Sequence, residues 1–256
     1  MTLIARAAAA ASLLLCISMP ALAQVSPASN LERSQIEAII RDYLNKNPEV
    51  VIEAIEKWQT QEEERASERA KEAIGELAKI TADDPHIYVA GNPDGDVTLY
   101  EFFDYKCGYC KRSLPDLMKL IRDDKNIRLV LIELPILSEE SHIAASAAIA
   151  AIEQDKYFEL HTALMQTRGQ LTEPVVMQVA REVGLDTKKL ASDMRAKPVQ
   201  QSIERNRSLA IALGVRGTPG FIIGDKIIPG AVGIDQLKDE AAAVRESAKN
   251  EDKSDG

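Results

Sequence analysis

The sequence of 256 residues predicts an α/β domain that carries an all-helical insertion and follows an N-terminal helical segment. An apolar strand pattern at 97–103 leads directly into an amphipathic helix at about 107–122. A nearly continuous apolar run at 127–134 fits a strand buried on both faces. Helical patterns alone fill 138–214, and a short β pattern returns at 220–228. The strand–helix–strand order implies parallel strands joined by a right-handed crossover.

The organisation of the chain begins with an expected export signal. Arg6 precedes an apolar run, and Ala21-Leu22-Ala23 supplies the small residues of a cleavage site, so we expect export through a cleaved signal peptide. The predicted parts are a signal peptide at 1–23, an N-terminal helical oligomerisation segment at 24–82, the α/β domain at 83–250 with its insertion at about 138–197, and a disordered tail at 251–256.

Charge and cysteine content narrow the function. The formal net charge of −9 argues against nucleic acid as a partner. Cys16 is expected to leave with the signal peptide, so the mature chain keeps Cys107 and Cys110. A disulfide between residues this close in sequence closes a very short loop and gives little stability, although exported proteins usually use cysteines for that purpose. The pair is therefore better explained by chemistry.

The N-terminal segment predicts a long helix with a narrow apolar stripe. Val51, Ile55 and Trp58 follow helical spacing, and the charged run 61–65 interrupts the stripe. Such a helix must pack on another helix to bury its apolar residues. We favour self-association into a dimer or trimer, because the charged middle is typical of a solvent-exposed helix. Packing of the helix on its own domain remains the alternative.

Two hairpins are predicted from strand and turn patterns. Strands at 87–89 and 97–103 flank Asn92-Pro93-Asp94-Gly95, whose residues favour a tight turn. The second hairpin joins 220–223 to 226–228 through Gly224 and Asp225. We expect each pair of strands to be neighbours in the sheet.

Cys107 lies where the amphipathic helix is predicted to begin. The free backbone N–H groups and the positive end of the helix dipole stabilise an anion there, and the thiolate is the reactive form of cysteine. Cys110 follows three residues later on the same face of the helix, within reach of a disulfide bond. A nucleophilic sulfur with a partner able to close a disulfide forms a redox-active pair.

These motifs carry a resemblance to a known family. Cys-x-x-Cys at a helix start, together with Gly217-Thr218-Pro219 before the last hairpin, resembles the thioredoxin superfamily over about 87–246. The helical insertion is similar to the DsbA-like branch, and the N-terminal segment resembles its oligomeric bacterial members, including the copper-sensitivity suppressor proteins called ScsC.

The resemblance implies a thioredoxin-like fold and a role for each site residue. Cys107 would attack a client disulfide, and the more buried Cys110 would resolve the mixed disulfide. Pro219 would be a cis-proline that faces the active site, with the Thr218 backbone presented to an extended client strand. A loop proline with a trans bond is the alternative.

Glu101 and four aromatic residues are further candidates for the site. The alternation of Leu99, Glu101 and Phe103 places Glu101 among apolar neighbours, where its pKa would rise and it could relay a proton to Cys110. An exposed acid at a strand edge is equally compatible with this periodicity. The proposed apolar rim for clients consists of Phe102, Phe103, Tyr105 and Tyr109, with core packing as the alternative for the two phenylalanines.

One departure from DsbA-type oxidases affects the predicted activity. This chain has Gly108-Tyr109 between its cysteines instead of a pair containing histidine, so the thiolate should be less stabilised and the protein a weaker oxidant. We therefore expect a periplasmic isomerase or reductase of exported proteins that contain cysteines, reset by a membrane redox partner. A DsbA-type oxidase, a copper-binding protein and a chaperone are the alternatives.

No cofactor or metal is expected. A zinc site needs four ligands, and the chain offers one Cys-x-x-Cys pair with three histidines spread over unrelated segments. His86, His142 and His161 are expected to be ordinary surface or core residues.

Overall fold

The computed structural model describes residues 32–254, so the predicted signal peptide lies outside the described residues. Contacts divide the chain into two compact units, the first ending at Gln59 and the second beginning at Thr60. The helices are α1 (Arg33–Lys46), α2 (Glu49–Asp83), α3 (Gly108–Asp123), α4 (Glu139–Ala151), α5 (Tyr157–Gln166), α6 (Glu173–Glu182), α7 (Thr187–Asp193), α8 (Lys197–Ala212) and α9 (Ile234–Ser254). The strands are β1 (Tyr88–Gly91), β2 (Val97–Phe103), β3 (Ile127–Glu133), β4 (Gly220–Ile223) and β5 (Lys226–Pro229).

The five strands form one mixed sheet in the order β1-β3-β2-β4-β5. Strands β2 and β3 are parallel and joined by α3, as the sequence predicts. Strands β4 and β5 form the predicted antiparallel hairpin, and Gly224 at its turn has a φ of +59°, which glycine adopts easily. The sheet places the C-terminal ends of β2 and β3 side by side at one edge.

The first predicted hairpin is wrong in its pairing. The turn forms as expected, with the Gly95 N–H donating to the Asn92 carbonyl oxygen over 3.0 Å. Strand β1, however, pairs with β3 in antiparallel fashion. Strand β2 is already flanked by β3 and β4, so both of its edges are occupied and β1 continues to the free edge of β3.

The sheet is covered on both faces. One face carries Leu99, Phe103, Leu129 and Leu131, which belong to a core with residues of α3, the inserted helices and α9. The other face carries Tyr100, Phe102, Val130 and Ile132, which form a second cluster with Leu209 and Leu213 near the end of α8. Burial of both faces explains why β2 and β3 read as continuous apolar runs.

The last part of α2 packs on this second face. Leu77 is fully buried in the second cluster, with Ala73, Ile74 and Ile80 packed against it. This is the packing that the sequence leaves open as the alternative to self-association, and it applies to the C-terminal part of the helix. The functional boundary predicted between residues 82 and 83 stays a prediction.

The N-terminal unit has a different character. The side chains along one stripe of α1 and the first part of α2 are all exposed; they are Ile36, Ile39, Ile40, Tyr43, Val51, Ile52, Ile55 and Trp58. Their spacing of three and four residues places them on one face of each helix. The unit therefore presents an exposed apolar stripe on each of its helices.

Two helices of the predicted insertion begin after the capping residues that the sequence predicts, and the bounds of the insertion stay a prediction. Ser138 caps α4 by accepting the Ser141 N–H, and Asp186 caps α7 by accepting two backbone N–H groups.

At the C-terminal end of the chain, α9 runs to Ser254, into the tail that the sequence predicts to be disordered. The charged residues before Gly256 contain no proline or glycine that would stop the helix.

None of the helices described between residues 32 and 254 has the length and apolar character needed to cross a membrane.

Candidate active site

Cys107 is the N-cap of α3, as predicted. Its φ of −74° and ψ of 112° are extended, and its sulfur accepts a hydrogen bond from the Cys110 N–H at 3.5 Å. The preceding turn is held by Asp104, whose carboxylate accepts the Lys106 N–H at 2.7 Å and whose carbonyl oxygen accepts the Cys107 N–H at 3.0 Å. The turn thus directs the sulfur of Cys107 at the free N–H groups of the helix start.

Opposing effects set the pKa of Cys107, and the net result is a lowered value. Burial raises the pKa, whereas hydrogen bonds from the Thr218 side chain and from the N–H groups of Cys110 and Tyr109 lower it. The sulfur also lies 3.1 Å from the Thr218 carbonyl oxygen, a contact that requires the thiol proton and so favours the neutral form. The hydrogen-bond donors outweigh burial and the carbonyl contact, so Cys107 is the more acidic thiol of the pair.

Cys110 is completely buried one turn along α3. Burial raises its pKa well above that of an ordinary cysteine, and the nearby negative charge of Glu101 adds to the rise. Cys110 therefore remains a thiol at neutral pH and needs a proton acceptor before it can attack. Both cysteines are thiols in the structure.

Glu101 occupies the buried face of β2 that the alternation predicts, with only 2% of its surface exposed. Burial raises its pKa to about 8, and the negative charge of the Cys107 thiolate contributes. A carboxyl group with this pKa can both accept and donate a proton near neutral pH. Its role in proton transfer to and from Cys110 stays a prediction.

The loop before β4 approaches the nucleophile. The Thr218–Pro219 peptide bond is cis, and the Thr218 carbonyl oxygen is the atom 3.1 Å from the sulfur of Cys107. Gly220 follows, where a Cβ atom would lie 2.7 Å from a methyl group of Val215, so a larger residue would push this loop away. The cis peptide bond at Pro219 agrees with the expectation from the sequence.

A groove of about 780 Å³ adjoins this loop within the second unit. One wall comes from α2 and includes Ala66 and Ala70, and the opposite wall runs from the end of α8 through Thr218 and Pro219 to β5. Residues 217–220 of the loop themselves line the groove.

The predicted aromatic rim is wrong for three of its four residues. Phe102, Phe103 and Tyr105 are fully buried, the first on the face of the sheet away from Cys107. Tyr105 is buried because its hydroxyl group finds polar partners inside the protein, which a tyrosine pattern in sequence does not reveal. Tyr109 alone is exposed, at 61%, and the Arg112 guanidinium lies over its ring at 4.3 Å.

Two apolar residues that sequence reasoning missed lie at the same edge of the sheet. Ile136 and Leu137 are 42% and 53% exposed, immediately after β3. The Asp104 carboxylate accepts the N–H groups of both, at 2.9 and 3.0 Å, and so joins this loop to the turn before Cys107. The signal in the sequence is an apolar Pro-Ile-Leu that continues past the end of a strand parallel to β2.

Among residues 32–254, no group of three or more His, Cys, Asp or Glu side chains lies close enough together to hold a metal ion. His161 is fully buried, and His86 and His142 lie in other segments of the chain.

Residues 98–242, more than half of the chain, match the family model described as the DSBA-like thioredoxin domain. The chain belongs to the DsbA-like thioredoxin domain family. Residues 32–65 match a second model, described as the copper resistance protein ScsC N-terminal domain. The resemblance to the thioredoxin superfamily, its DsbA-like branch and ScsC is thereby confirmed, and the DsbA-like domain contains the Cys-x-x-Cys site described above.

Solved structures and curated proteins include relatives of this DsbA-like chain. A thioredoxin-like oxidoreductase from Silicibacter pomeroyi is 46% identical, with a TM-score of 0.63, and the match covers 65% of this chain and 96% of that one. A linker-deletion mutant of Proteus mirabilis ScsC is 26% identical, with a TM-score of 0.65, over 87% of this chain and 100% of that one. A Na⁺/H⁺ antiporter NhaA from Salinispora tropica is 27% identical over 72% of this chain, which spans only 28% of that relative.

The raised pKa of Glu101 predicts how stability depends on pH. The folded DsbA-like domain keeps this proton up to about pH 8, whereas an unfolded chain releases it near 4.5, so stability should fall as pH rises through this interval. We expect Glu101→Gln to reduce that fall, measured by urea unfolding of the reduced protein at several pH values. The exposed Glu139→Gln should keep the wild-type slope. An unchanged slope in Glu101→Gln would contradict the burial argument.

Proposed function

We propose that this chain is a periplasmic protein thiol–disulfide oxidoreductase that uses the Cys107-Gly108-Tyr109-Cys110 dithiol, chiefly for disulfide isomerisation and reduction. The observation that carries the proposal is the difference in acidity between the two thiols. Cys107 has a lowered pKa at the helix start, and Cys110 has a raised pKa behind it. The Cys107 sulfur can attack as a thiolate, and the Cys110 sulfur stays a thiol until it resolves the mixed disulfide.

The reaction follows from this order. The Cys107 thiolate attacks a client disulfide, forms a mixed disulfide and releases one client thiolate. For reduction, Cys110 passes its proton to the ionised form of Glu101 and attacks the Cys107 sulfur. That form of Glu101 becomes more populated in the mixed disulfide, where the Cys107 charge that raises its pKa is gone. The attack by Cys110 releases the second client thiolate and leaves the Cys107–Cys110 disulfide, so the client gains the two electrons that the dithiol loses. For isomerisation, a client thiolate attacks the mixed disulfide instead and regenerates the Cys107 thiolate with no net redox change.

The balance between isomerase and oxidase depends on how strongly the thiolate is stabilised. The groups that lower the pKa of Cys107 are neutral: two backbone N–H groups and the side chains of Thr218 and Cys110. A strongly oxidising disulfide requires a strongly stabilised reduced form. Neutral donors alone favour a milder disulfide, which supports isomerase or reductase activity over DsbA-type oxidation.

The clients we propose are exported proteins that contain cysteines. The surface around Cys107 offers Tyr109, Ile136 and Leu137 as exposed apolar contacts. The Thr218 backbone at the cis-proline loop is available to an extended client strand, which the adjoining groove can accommodate. A membrane redox partner would restore the dithiol after each reduction.

The exposed apolar stripe of the N-terminal unit supports self-association into a dimer or trimer. Eight large apolar side chains exposed on two helices are unfavourable in water and favour a second copy of the same stripe as a partner. Several catalytic domains on one assembly can attack a held client repeatedly, which suits isomerisation.

Refolding of a protein with scrambled disulfides tests the activity. We expect the reduced wild type to restore native disulfides, Cys107→Ser to lose all activity, and Cys110→Ser to keep part of it, because isomerisation needs only the first sulfur. Oxidation of a reduced client without isomerisation would favour an oxidase. If Cys107→Ser still prevents the aggregation of clients, a chaperone is favoured. If the wild type binds Cu(I) but has no refolding activity, and both serine variants lose that binding, a copper-binding protein is favoured.

Sedimentation of the full chain tests the assembly. We expect a dimer or trimer for the wild type and a monomer for Ile40→Glu, because the variant places a charge in the exposed stripe of α1. Ile211→Glu, at a residue that is 72% exposed on the second unit, is the matched control and should sediment like the wild type. A monomeric wild type, or an oligomeric Ile40→Glu, would contradict the proposal.

A further inference from the structure

A buried polar cluster lies behind the turn that carries Cys107. One carboxylate oxygen of Glu133, Oε1, accepts hydrogen bonds from the hydroxyl groups of Tyr105 at 2.8 Å and Tyr157 at 2.9 Å. The Tyr105 hydroxyl also lies 3.1 Å from Nδ1 of His161. All four side chains are buried, and the thiol chemistry described above uses none of them.

The cluster joins separate parts of the fold. Glu133 is the last residue of β3, and Tyr105 lies two residues before Cys107. Tyr157 and His161 both belong to α5 of the helical insertion. The side-chain amide of Asn206, on α8, donates to the Glu133 carbonyl oxygen at 3.2 Å. Glu133 therefore connects the insertion and α8 to the active-site turn.

The hydrogen bonds fix where the protons are. Each tyrosine has one hydroxyl proton, and both hydroxyl groups donate a hydrogen bond to Glu133 Oε1. The Tyr105 oxygen must therefore accept a hydrogen bond from Nδ1–H of His161. Glu133 Oε2 and His161 Nε2 have no hydrogen-bond partner among the described residues. A buried carboxylate with one oxygen left bare would be costly, so the arrangement fits a protonated Glu133 and a neutral His161.

The groups around the cluster act in the same direction. Burial raises the pKa of Glu133 well above its ordinary value; the two tyrosine hydrogen bonds oppose this, and the charges of Asp104 and Glu101 reinforce it. Burial lowers the pKa of His161 to about 3. Burial raises the pKa values of Tyr105 and Tyr157, and a charge on Glu133, if it ionised, would raise them further. Each of these shifts favours the uncharged form of its group.

We propose that Glu133 is a positioning residue for the thiol chemistry, which acts through Tyr105 to hold the sulfur of Cys107 against the first N–H groups of α3. The inference deepens the proposed function and rests on the role of Cys107 as its nucleophile. Asp104 fixes the backbone of the same turn. Glu133 fixes the side chain of Tyr105, which lies at the centre of the turn. The Tyr105 ring also packs edge to face against Phe103, with 5.3 Å between the ring centroids.

The position of the sulfur decides how well the backbone donors reach it. The Cys107 sulfur is 3.5 Å from the Cys110 nitrogen, and a hydrogen bond weakens as its distance grows and its angle bends. A small displacement of the turn would weaken the donors that lower the pKa of Cys107. The anchor at Tyr105 therefore affects the fraction of thiolate as well as the stability of the fold.

Two matched variants separate positioning from packing. Tyr105→Phe and Tyr157→Phe each remove one hydroxyl donor to the same Glu133 oxygen and keep a buried ring, but only Tyr105 belongs to the active-site turn. The readout is the pH profile of Cys107 alkylation by iodoacetamide in the full reduced chain, followed by mass spectrometry of the Cys107 peptide. Alkylation needs no client, so the result is independent of whether the proposed isomerase activity is found.

We expect both variants to lower the melting temperature and only Tyr105→Phe to move the pH profile. Below the midpoint, alkylation of Tyr105→Phe should be about threefold to tenfold slower than wild type, which corresponds to a rise in midpoint of about half a unit to one unit. Tyr157→Phe should stay within about twofold at every pH. Equal shifts in the two variants, or no shift in Tyr105→Phe, would overturn the positioning role.

A third variant keeps the inference testable if Tyr105→Phe does not fold. Glu133→Gln retains a carbonyl oxygen for both tyrosines and matches the protonated acid in charge and size. We expect its alkylation profile to overlay that of the wild type. A shifted profile would show that a charge on Glu133, and not the hydrogen bond to Tyr105, acts on Cys107, and would overturn the inference.

Discussion

The N–H groups at the first turn of α3 determine what the Cys107 sulfur can do. They offer hydrogen bonds that no residue within the helix can accept, and the cysteine at the N-cap is placed to accept them. The sheet holds this arrangement in place, because β2 ends at the turn and its neighbour β3 ends beside it. The cis-proline loop closes the other side, with the Thr218 carbonyl oxygen in contact with the sulfur.

Burial divides the work between the two sulfurs. Hydrogen-bond donors reach Cys107 and overcome the cost of burying its charge, whereas Cys110 lies deeper, where burial dominates. The same principle applies to the acids behind them. Glu101 faces the cysteines and has a pKa near the working range. Glu133 lies diagonally across on the neighbouring strand and accepts hydrogen bonds from two tyrosines, and burial raises its pKa well above the ordinary value. One sheet face thus holds two buried carboxyl groups in different surroundings.

Local patterns in the sequence predicted the local structure well. The helix start at Cys107, the parallel strands, the β4–β5 hairpin and the caps at Ser138 and Asp186 all depend on residues near one another in the chain. The errors concern contacts between distant residues. The pairing of β1 depends on which edges of the sheet are free. The burial of Tyr105 depends on Glu133 and His161, which lie 28 and 56 residues away. Glu133 itself reads as the polar end of an apolar strand, so nothing nearby marks it as the centre of a cluster.

The most direct test of the account is the acidity of Cys107 in the reduced, full-length protein. Thiolate absorbance in the ultraviolet, recorded against pH with Cys107→Ser as the blank, gives the titration of this sulfur alone. The account predicts a midpoint clearly below that of free cysteine, at about 8.5, with Cys110 silent over the same range. A midpoint at or above that of free cysteine would contradict the claim that the start of α3 holds Cys107 as the reactive thiolate.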